Sequence, residues 1–251
     1  MIIVTIGGMV IYCSLDFLKK AREGVRYHYK EESGEILRFN KIERTLHFTH
    51  LISFLILVYT GFIHHYPEAV WGNWLAKLWG GTLRAYLHRI AGASMLIAFI
   101  IHAVLMVFTE RGRKQFLELL LKPKDIKDAF LLLFYNLGIS KNKPRFGRFT
   151  FYEKVEYWAL IWGTLVMGIT GAALWFETQT LNLLPKWFID LFLVVHFYEA
   201  ILASLAILVW HLYWVVFDPA IYPLNKSMFT GKLPEEIYKE EHSLEFEREE
   251  I

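Results

Sequence analysis

Two long apolar runs of the chain each carry two histidines at almost the same spacing. His88 and His102 lie fourteen residues apart in HRIAGASMLIAFIIH, and His196 and His211 lie fifteen apart in HFYEAILASLAILVWH. In an α-helix, a step of this size moves a side chain roughly 21 to 22 Å along the axis and leaves it within about 40 to 60° of the same face. One helix can therefore hold two ligands near opposite surfaces of a membrane. Since histidine is costly inside hydrocarbon, each of the four is a candidate functional residue.

The composition indicates that these runs cross a bilayer. Of the 251 residues, 55% are apolar and 17% are aromatic, which is unusual for a soluble domain. Four apolar stretches are long enough for the ~20 residues that a bilayer core requires, and a shorter fifth stretch opens the chain. They cover residues 45–63, 86–108, 155–176, 188–217 and 1–18. We therefore expect an all-α fold, a polytopic membrane helix bundle with a four-helix haem-binding core and one N-terminal transmembrane helix.

The same pattern divides the chain into four segments. We expect residues 1–18 to form the N-terminal transmembrane helix, 19–44 a basic cytoplasmic segment, 45–217 the four-helix core and 218–251 a cytoplasmic tail. The end of the tail, EEIYKEEHSLEFEREEI, is acidic. Such a charge pattern favours a solvated amphipathic or disordered end over a site.

Basic residues predict how the chain is oriented, because they accumulate in cytoplasmic loops. Residues 19–46 contain eight lysines and arginines and residues 109–154 contain eleven, whereas the loops 64–87 and 177–190 contain three together. Four more follow Asp218. This asymmetry predicts a multi-pass protein of the cytoplasmic membrane with its N-terminus outside and its C-terminus in the cytoplasm.

The chain has one cysteine, Cys13, which excludes a disulfide within the chain, covalent haem attachment through CxxCH and an iron–sulfur cluster held by cysteines. No dinucleotide-binding or phosphate-binding glycine loop is present either. Any resident cofactor must therefore be held by histidine.

The histidines of the apolar spans fall at two depths. His47 comes just after Arg44 at the cytoplasmic start of the second helix, and His211 lies near the cytoplasmic end of the last helix. His88 is expected to open the third helix from the outer side, and His196 lies in the outer part of the last helix. The matching depths predict two b-type haems stacked across the membrane, with neutral imidazoles as axial ligands of the iron.

Three further residues leave alternatives open. His102 is the rival of His47 as the cytoplasmic partner of His211, and spacing alone does not separate the two. His50, one turn deeper than His47, is a ligand or a polar neighbour of a haem propionate or a quinone. Glu199, inside the last span, is a hydrogen-bond acceptor behind a ligand, a proton-relay group or a paired structural acid.

A group of charges precedes the fourth helix in RFTFYEKVEYW. Glu153, Lys154 and Glu156 form either an interfacial ion-pair cluster or part of a binding site.

These motifs resemble the di-haem cytochrome b subunits of membrane-bound formate dehydrogenase, nickel–iron hydrogenase and thiosulfate reductase. The resemblance covers roughly residues 37 to 230 and rests on RFNKIERTLH for His47, LHRIAG for His88 and the histidine pair of the last helix. The segments KPRFGRFTFYEKVEYWALIWGTLVMGITG and HFYEAILASLAILVWHLYWVVFDPAIYPLN look closer to the branch found beside multihaem c-type cytochromes. The additional His102, the spacing of fifteen where the family has fourteen and the N-terminal helix are departures.

The resemblance implies a pairing of His47 with His211 and of His88 with His196. It implies an electron-transferring, quinone-reactive subunit of an oxidoreductase in anaerobic respiration, with two haem b, quinone or menaquinone as substrate, and a periplasmic redox partner. That partner would be a multihaem c-type cytochrome or an iron–sulfur or dehydrogenase subunit. Quinone-site candidates are His50, Glu153 and Lys154.

Two other functions fit the sequence less well. One is a stand-alone transmembrane haem reductase without a stable partner. The other is a haem-free anchor or transporter that uses histidine for protons or divalent metal. A metal site needs ligands that converge on one point, whereas these histidines fall on levels about 20 Å apart.

Overall fold

The computed structural model describes residues 1–25 and 34–249, and for residues 70–80 and 249 it describes the backbone alone. Arg26 and Lys30, two residues of the expected basic segment, lie outside the described residues, as do residues 250 and 251 of the tail. The side chain of Lys77 also lies outside them.

The described chain is almost entirely helical, with one short two-stranded sheet. The antiparallel strands are β1 (Glu35–Leu37) and β2 (Lys232–Pro234). The helices are α1 (Ile2–Glu23), α2 (Lys41–His65), α3 (Val70–Phe108), α4 (Glu110–Leu119), α5 (Pro123–Asn136), α6 (Phe151–Trp175), α7 (Glu177–Leu183), α8 (Trp187–Ala206), α9 (Ser227–Thr230), α10 (Glu235–Glu241) and α11 (Ser243–Glu249).

Among the described residues, five helices are long and apolar enough to cross a membrane. These are α1, α2, α3 from Gly81 onward, α6, and the helix that begins with α8 and runs from Trp187 to Phe217. Large apolar side chains on them are exposed, as a lipid-facing surface requires; Ile97, Val107 and Leu193 are examples. The expected helical membrane fold is confirmed.

The third span starts earlier than the sequence predicts. α3 begins at Val70, and its 39 residues extend about 58 Å. The expected connecting loop 64–87 is therefore mostly helical, and His88 lies well inside α3, so the expectation that it opens the helix was wrong. The reason is local: Pro67 precedes the helix, and the glycines that follow weaken a helix without ending it.

The last span changes helix type near its end. After α8, residues Ile207–His211 and Tyr213–Phe217 are π-helical. A π turn closes with hydrogen bonds between residues five apart, so it contains one more residue than an α turn. Such turns are rare and often occur at functional sites.

The chain divides into two compact units. The first unit comprises Met1–Asn40, Glu110–Trp162 and Leu202–Ile251, and the second comprises Lys41–Thr109 and Gly163–Ile201. This division differs from the four segments expected from the sequence, whose boundaries stay predictions. α1, for example, continues past residue 18 to Glu23 and ends at Gly24, which has a φ of 63°.

The described part of the tail is folded, and its helices are amphipathic, which is one of the two forms expected from the charge pattern. In the first unit, β2 pairs with β1, and α10 and α11 follow. Apolar side chains of β2, α10, α11 and the segment before α9 form a buried cluster whose members are Ala220, Ile221, Leu233, Ile237, Tyr238 and Phe246. The acidic residues alternate with this apolar set, so the charge pattern marks the outer faces of two packed helices.

His242 fixes the tail within the first unit. His242 Nδ1 donates to the Gly147 carbonyl at 2.8 Å, and Nε2 accepts from Arg38, whose guanidinium also pairs with Glu153 at 2.5 Å. His242 is 1% exposed. Because arginine has donors only, Nε2 must be unprotonated, and the ring is neutral.

A second buried polar network joins α1 to the end of the last span, also within the first unit. Lys20 Nζ lies 2.7 Å from Asp16 and 2.6 Å from Asp218. Asp16, which is 1% exposed, also accepts from Tyr213 at 2.5 Å and from Asn136 at 3.0 Å. Every oxygen of Asp16 thus has a donor, as a buried carboxylate requires.

Candidate functional site

His88 of α3 lies against Thr60 of α2 in the second unit. His88 Nδ1 is 2.8 Å from Thr60 Oγ1, and the same hydroxyl donates to the Ile56 carbonyl at 2.6 Å. A hydroxyl has a single proton to donate, so in the bond with His88 it is the acceptor and Nδ1–H is the donor. A charged imidazolium is costly inside an apolar span, so the ring is neutral and Nε2 of His88 keeps its lone pair.

The same arrangement occurs around His196 of α8. His196 Nδ1 is 2.9 Å from Thr170 Oγ1 on α6, and that hydroxyl donates to the Val166 carbonyl at 2.7 Å. Nδ1–H is again the donor, and Nε2 again keeps its lone pair. Both imidazoles are thus neutral and in the same tautomer, in which only Nε2 is free to bind a metal.

The structure brings these two histidines together. The centroids of the His88 and His196 rings are 6.4 Å apart, and the ring planes make an angle of 57°. A metal–imidazole bond is about 2 Å long and the ring centre lies roughly 1.1 Å beyond the nitrogen, so two imidazoles on opposite sides of one iron have centroids roughly 6.2 Å apart. The pair therefore fits the two axial positions of one haem.

Two arginines of α3 lie beside this pair. Arg84, one turn before His88, approaches the Thr60 carbonyl at 3.5 Å, and the Arg89 guanidinium lies 5.3 Å from the Trp175 ring centroid. With a haem held by this histidine pair, the two guanidinium groups would be candidates to bind its propionate carboxylates.

The other three candidate histidines of the second unit are all partly buried. His47 and His50 lie one turn apart on α2, and His102 lies on α3. His50 Nδ1 donates to the Leu46 carbonyl at 2.9 Å, while its Nε2 has no hydrogen-bond partner within the part of the chain that the structure describes. His50 therefore presents an unused acceptor in a buried position.

His211 lies in the first unit, in the π-helical part of the last span. Its Nδ1 is 3.1 Å from Glu156 Oε1 on α6. A carboxylate acceptor holds Nδ1 protonated, as the threonine hydroxyls do for His88 and His196. His47 belongs to the second unit, so the expected pairing of His47 with His211 stays a prediction.

The three residues of RFTFYEKVEYW have separate roles. Glu153 accepts from the backbone and hydroxyl of Thr150 at 2.8 and 3.0 Å, and Glu153 N–H donates back to Thr150 Oγ1 at 3.3 Å, a capping box that starts α6. Lys154 is 5% exposed and pairs with Asp125 at 2.9 Å. Glu153 and Lys154 are thus held in structural contacts, and their assignment to a quinone site stays a prediction.

Glu199 is not the acceptor behind His196, because Thr170 takes that position. The Glu199 Oε1 atom lies against α6, 3.2 Å from where a Cβ of Gly163 would be. A role for Glu199 in proton relay stays a prediction.

The sequence analysis missed Thr60 and Thr170, and it named Glu156 without its partner. A signal for the threonines was present, since the dipeptide Thr-Gly occurs once in α2 and once in α6. Its meaning depends on which histidine faces it, and spacing along one helix carries no information about the neighbouring helix.

The comparison with protein families agrees with these features. The model of the family described as prokaryotic cytochrome b561 matches residues 38–231, which is most of the chain. No individual curated protein matches the chain. Because the match takes in the four core spans and all six candidate histidines, the chain belongs to the prokaryotic cytochrome b561 family, membrane proteins that bind haem b and transfer electrons across the membrane.

Proposed function

We propose that the protein holds two haem b groups and relays electrons between the quinone pool and a periplasmic redox partner. The observation that carries the proposal is the facing pair of His88 and His196, two neutral imidazoles with free Nε2 atoms at the separation that one iron needs. Haem iron, when bound between them, supplies reversible one-electron chemistry.

The second haem is assigned to His47 and His211, with His102 as the rival of His47. His211 is prepared as a ligand by Glu156, which orients the ring and increases the basicity of Nε2. Support for two levels comes from the spacing of fifteen residues between His196 and His211, roughly 22 Å of helix.

The proposed topology follows from the basic residues, with the N-terminus outside and the C-terminus in the cytoplasm of a bacterial-type inner membrane. His88 and His196 then lie toward the periplasm, and His47 and His211 lie toward the cytoplasm. Electrons exchanged with a periplasmic subunit, a multihaem c-type cytochrome or an iron–sulfur or dehydrogenase subunit, would enter or leave on the outer side.

The proposed quinone chemistry belongs to the cytoplasmic side, near His50. Its unused Nε2 can accept a hydrogen bond from a quinol hydroxyl, and its Nδ1 contact with Leu46 holds the ring in the tautomer that this requires. A binding role for this atom would also explain why a buried acceptor is left without a partner in the described protein.

The testing experiment is a haem count on the purified chain. We expect the dithionite-reduced minus oxidised spectrum to show a b-type α-band, and pyridine haemochrome analysis to give about two haems per chain. His196→Ala should remove about one, whereas His64→Ala, at an exposed histidine, should remove none. A folded wild-type preparation without haem would contradict the proposal and favour a haem-free anchor or transporter.

A further inference from the structure

The Thr-Gly dipeptides of α2 and α6 serve the two facing histidines in the same way. Thr60-Gly61 of α2 lies against His88, and Thr170-Gly171 of α6 lies against His196. We propose that these dipeptides are positioning elements for the haem ligands: the threonine sets the tautomer and the basicity of the imidazole, and the glycine leaves room for the ring edge. The inference rests on the proposed haem site.

The threonine part follows from the hydrogen bonds. Each hydroxyl donates its hydrogen bond to the carbonyl four residues earlier in its own helix, at 2.6 Å for Thr60 and 2.7 Å for Thr170. The hydroxyl is thereby locked as an acceptor, and it can bind only an imidazole that carries its proton on Nδ1. A hydrogen bond of this kind fixes the ring orientation and raises the basicity of the ligating nitrogen.

The glycine part follows from the space at the ring edge. A Cβ built on Gly171 would lie 3.2 Å from His196 Cε1, and one built on Gly61 would lie 3.5 Å from His88 Cε1. The first distance is tighter than an ordinary carbon–carbon contact and the second is within it. Any side chain at position 171 must therefore displace the His196 ring, whereas alanine fits at position 61.

Positions 61 and 171 thus differ in the space beside the histidine ring, although both carry glycine after threonine. A Cβ at position 171 would crowd the His196 ring, which would have to move by a few tenths of an ångström from its place beside Thr170. A Cβ at position 61 would make an ordinary contact with His88, so the threonine alone is enough to position that ring.

The test uses threonine and glycine variants of the full chain in detergent. Thr60→Val and Thr170→Val remove the acceptor with little change in shape, so we expect haem retention to weaken about 10- to 100-fold. The midpoint potential of the remaining haem should become more positive, because the ligating nitrogen is less basic. Thr60→Ser and Thr170→Ser keep the hydroxyl and should restore both properties.

Thr164→Val is the matched control, since Thr164 lies on α6 as well but its hydroxyl has no hydrogen-bond partner among the described residues. Gly171→Ala should shift the g-values of the low-spin ferric electron paramagnetic resonance signal, and Gly61→Ala should leave them nearly unchanged. A haem-containing wild type whose potential is unaffected by both valine substitutions would overturn this inference alone. A wild type without haem would overturn the proposed function and this inference together.

Discussion

At the scale of single residues, the acceptor behind each imidazole distinguishes the candidate ligands. His88 and His196 donate to threonine hydroxyls, which are neutral, and His211 donates to the carboxylate of Glu156. A charged acceptor pulls the Nδ1 proton more strongly than a hydroxyl does, so it gives the imidazole more electron density. The two proposed haem sites would therefore differ in the electron-donating strength of their ligands.

Alanine variants distinguish His47 from His102 as the second ligand opposite His211. We expect His47→Ala to lower the haem content from about two to about one per chain and His102→Ala to leave it unchanged, because the family resemblance places the ligand at His47. Pyridine haemochrome analysis measures both. The opposite result would move the ligand to His102, and two unchanged variants would contradict the assignment of either residue.

At the scale of elements, the last span shows how a helix accommodates an additional residue. His196 and His211 are fifteen residues apart, where the family resemblance leads us to expect fourteen, and the π turn Ile207–His211 lies between them. Because a π turn contains one more residue than an α turn, the number of turns between the two histidines stays the same. The π turn therefore compensates for the difference of one residue between the two histidines.

Lys20 is the residue on which the attachment of α1 to the last span depends. Lys20→Met leaves the buried carboxylates of Asp16 and Asp218 without their shared cation, so we expect a loss of about 3 to 5 kcal/mol of stability. Thermal unfolding in detergent measures this as a lower midpoint temperature.

The control for this prediction is Lys114→Met. Lys114 pairs with Glu110 at 2.8 Å on an exposed surface, where an ion pair contributes at most about 1 kcal/mol. Neutralising both aspartates in the Lys20→Met background with Asp16→Asn and Asp218→Asn should recover part of the loss. Equal midpoint shifts for Lys20→Met and Lys114→Met would show that the buried network does not hold α1.

The folded tail predicts a pH dependence through Glu241. Burial, the nearby Asp218 and, to a smaller extent, Glu153 raise the pKa of this carboxyl to about 7, although Lys20 and Arg38 act to lower it. The unfolded chain releases the same proton near pH 4.5. Folded protein therefore binds more protons than unfolded protein between these values, and stability decreases as the pH rises through this window.

Glu241→Gln should remove the loss of stability that the wild type shows as the pH rises above 4.5. We expect the variant to be more stable than the wild type at pH 8 by on the order of 1 to 2 kcal/mol and nearly equal to it at pH 4.5, measured by thermal unfolding at both values. Glu240→Gln, at an exposed neighbouring position, should change neither midpoint. A Glu241→Gln variant without a gain at pH 8 would mean that the carboxylate is solvated in the folded tail.

His242 makes the stability of the tail depend on pH in the opposite direction. Burial and the adjacent Arg38 lower the pKa of His242 to about 3, whereas the unfolded chain binds the proton near pH 6.5. Stability from this residue is therefore complete above pH 6.5 and is lost as the pH falls toward 3. Between about pH 4.5 and 6.5 the two effects act in opposite directions and largely cancel, so the tail should be most stable in this mildly acidic range.

At the scale of the whole molecule, the distribution of basic residues makes the orientation testable. Glu68→Cys and Lys143→Cys place single thiols at exposed positions in the 66–69 connection and in the basic segment before α6, in a Cys13→Ala background. With the N-terminus outside, we expect a membrane-impermeant maleimide to label Glu68→Cys in intact spheroplasts and Lys143→Cys only after lysis. The reverse labelling would invert the proposed topology.

Much of this protein follows from the sequence by itself. The apolar stretches predict the membrane spans because a bilayer core requires a fixed length of helix, and the histidine spacing predicts ligands at two depths because the rise per residue of a helix is constant. Both are properties of one segment at a time. His88 and His196 could be named as a pair on this basis, without knowledge of how their helices pack.

Only the tertiary structure decided what each of these side chains contacts. Thr60 is 28 residues from His88 and Thr170 is 26 from His196, and their hydrogen bonds depend on the rotation of one helix against the next. The tail is a further case, because its charge pattern fits an amphipathic or a disordered end, and only the packing of Ile237 and Tyr238 in the first unit decides between them. Contacts between elements depend on the packing of side chains from both partners, and the periodicity of either element alone does not contain that information.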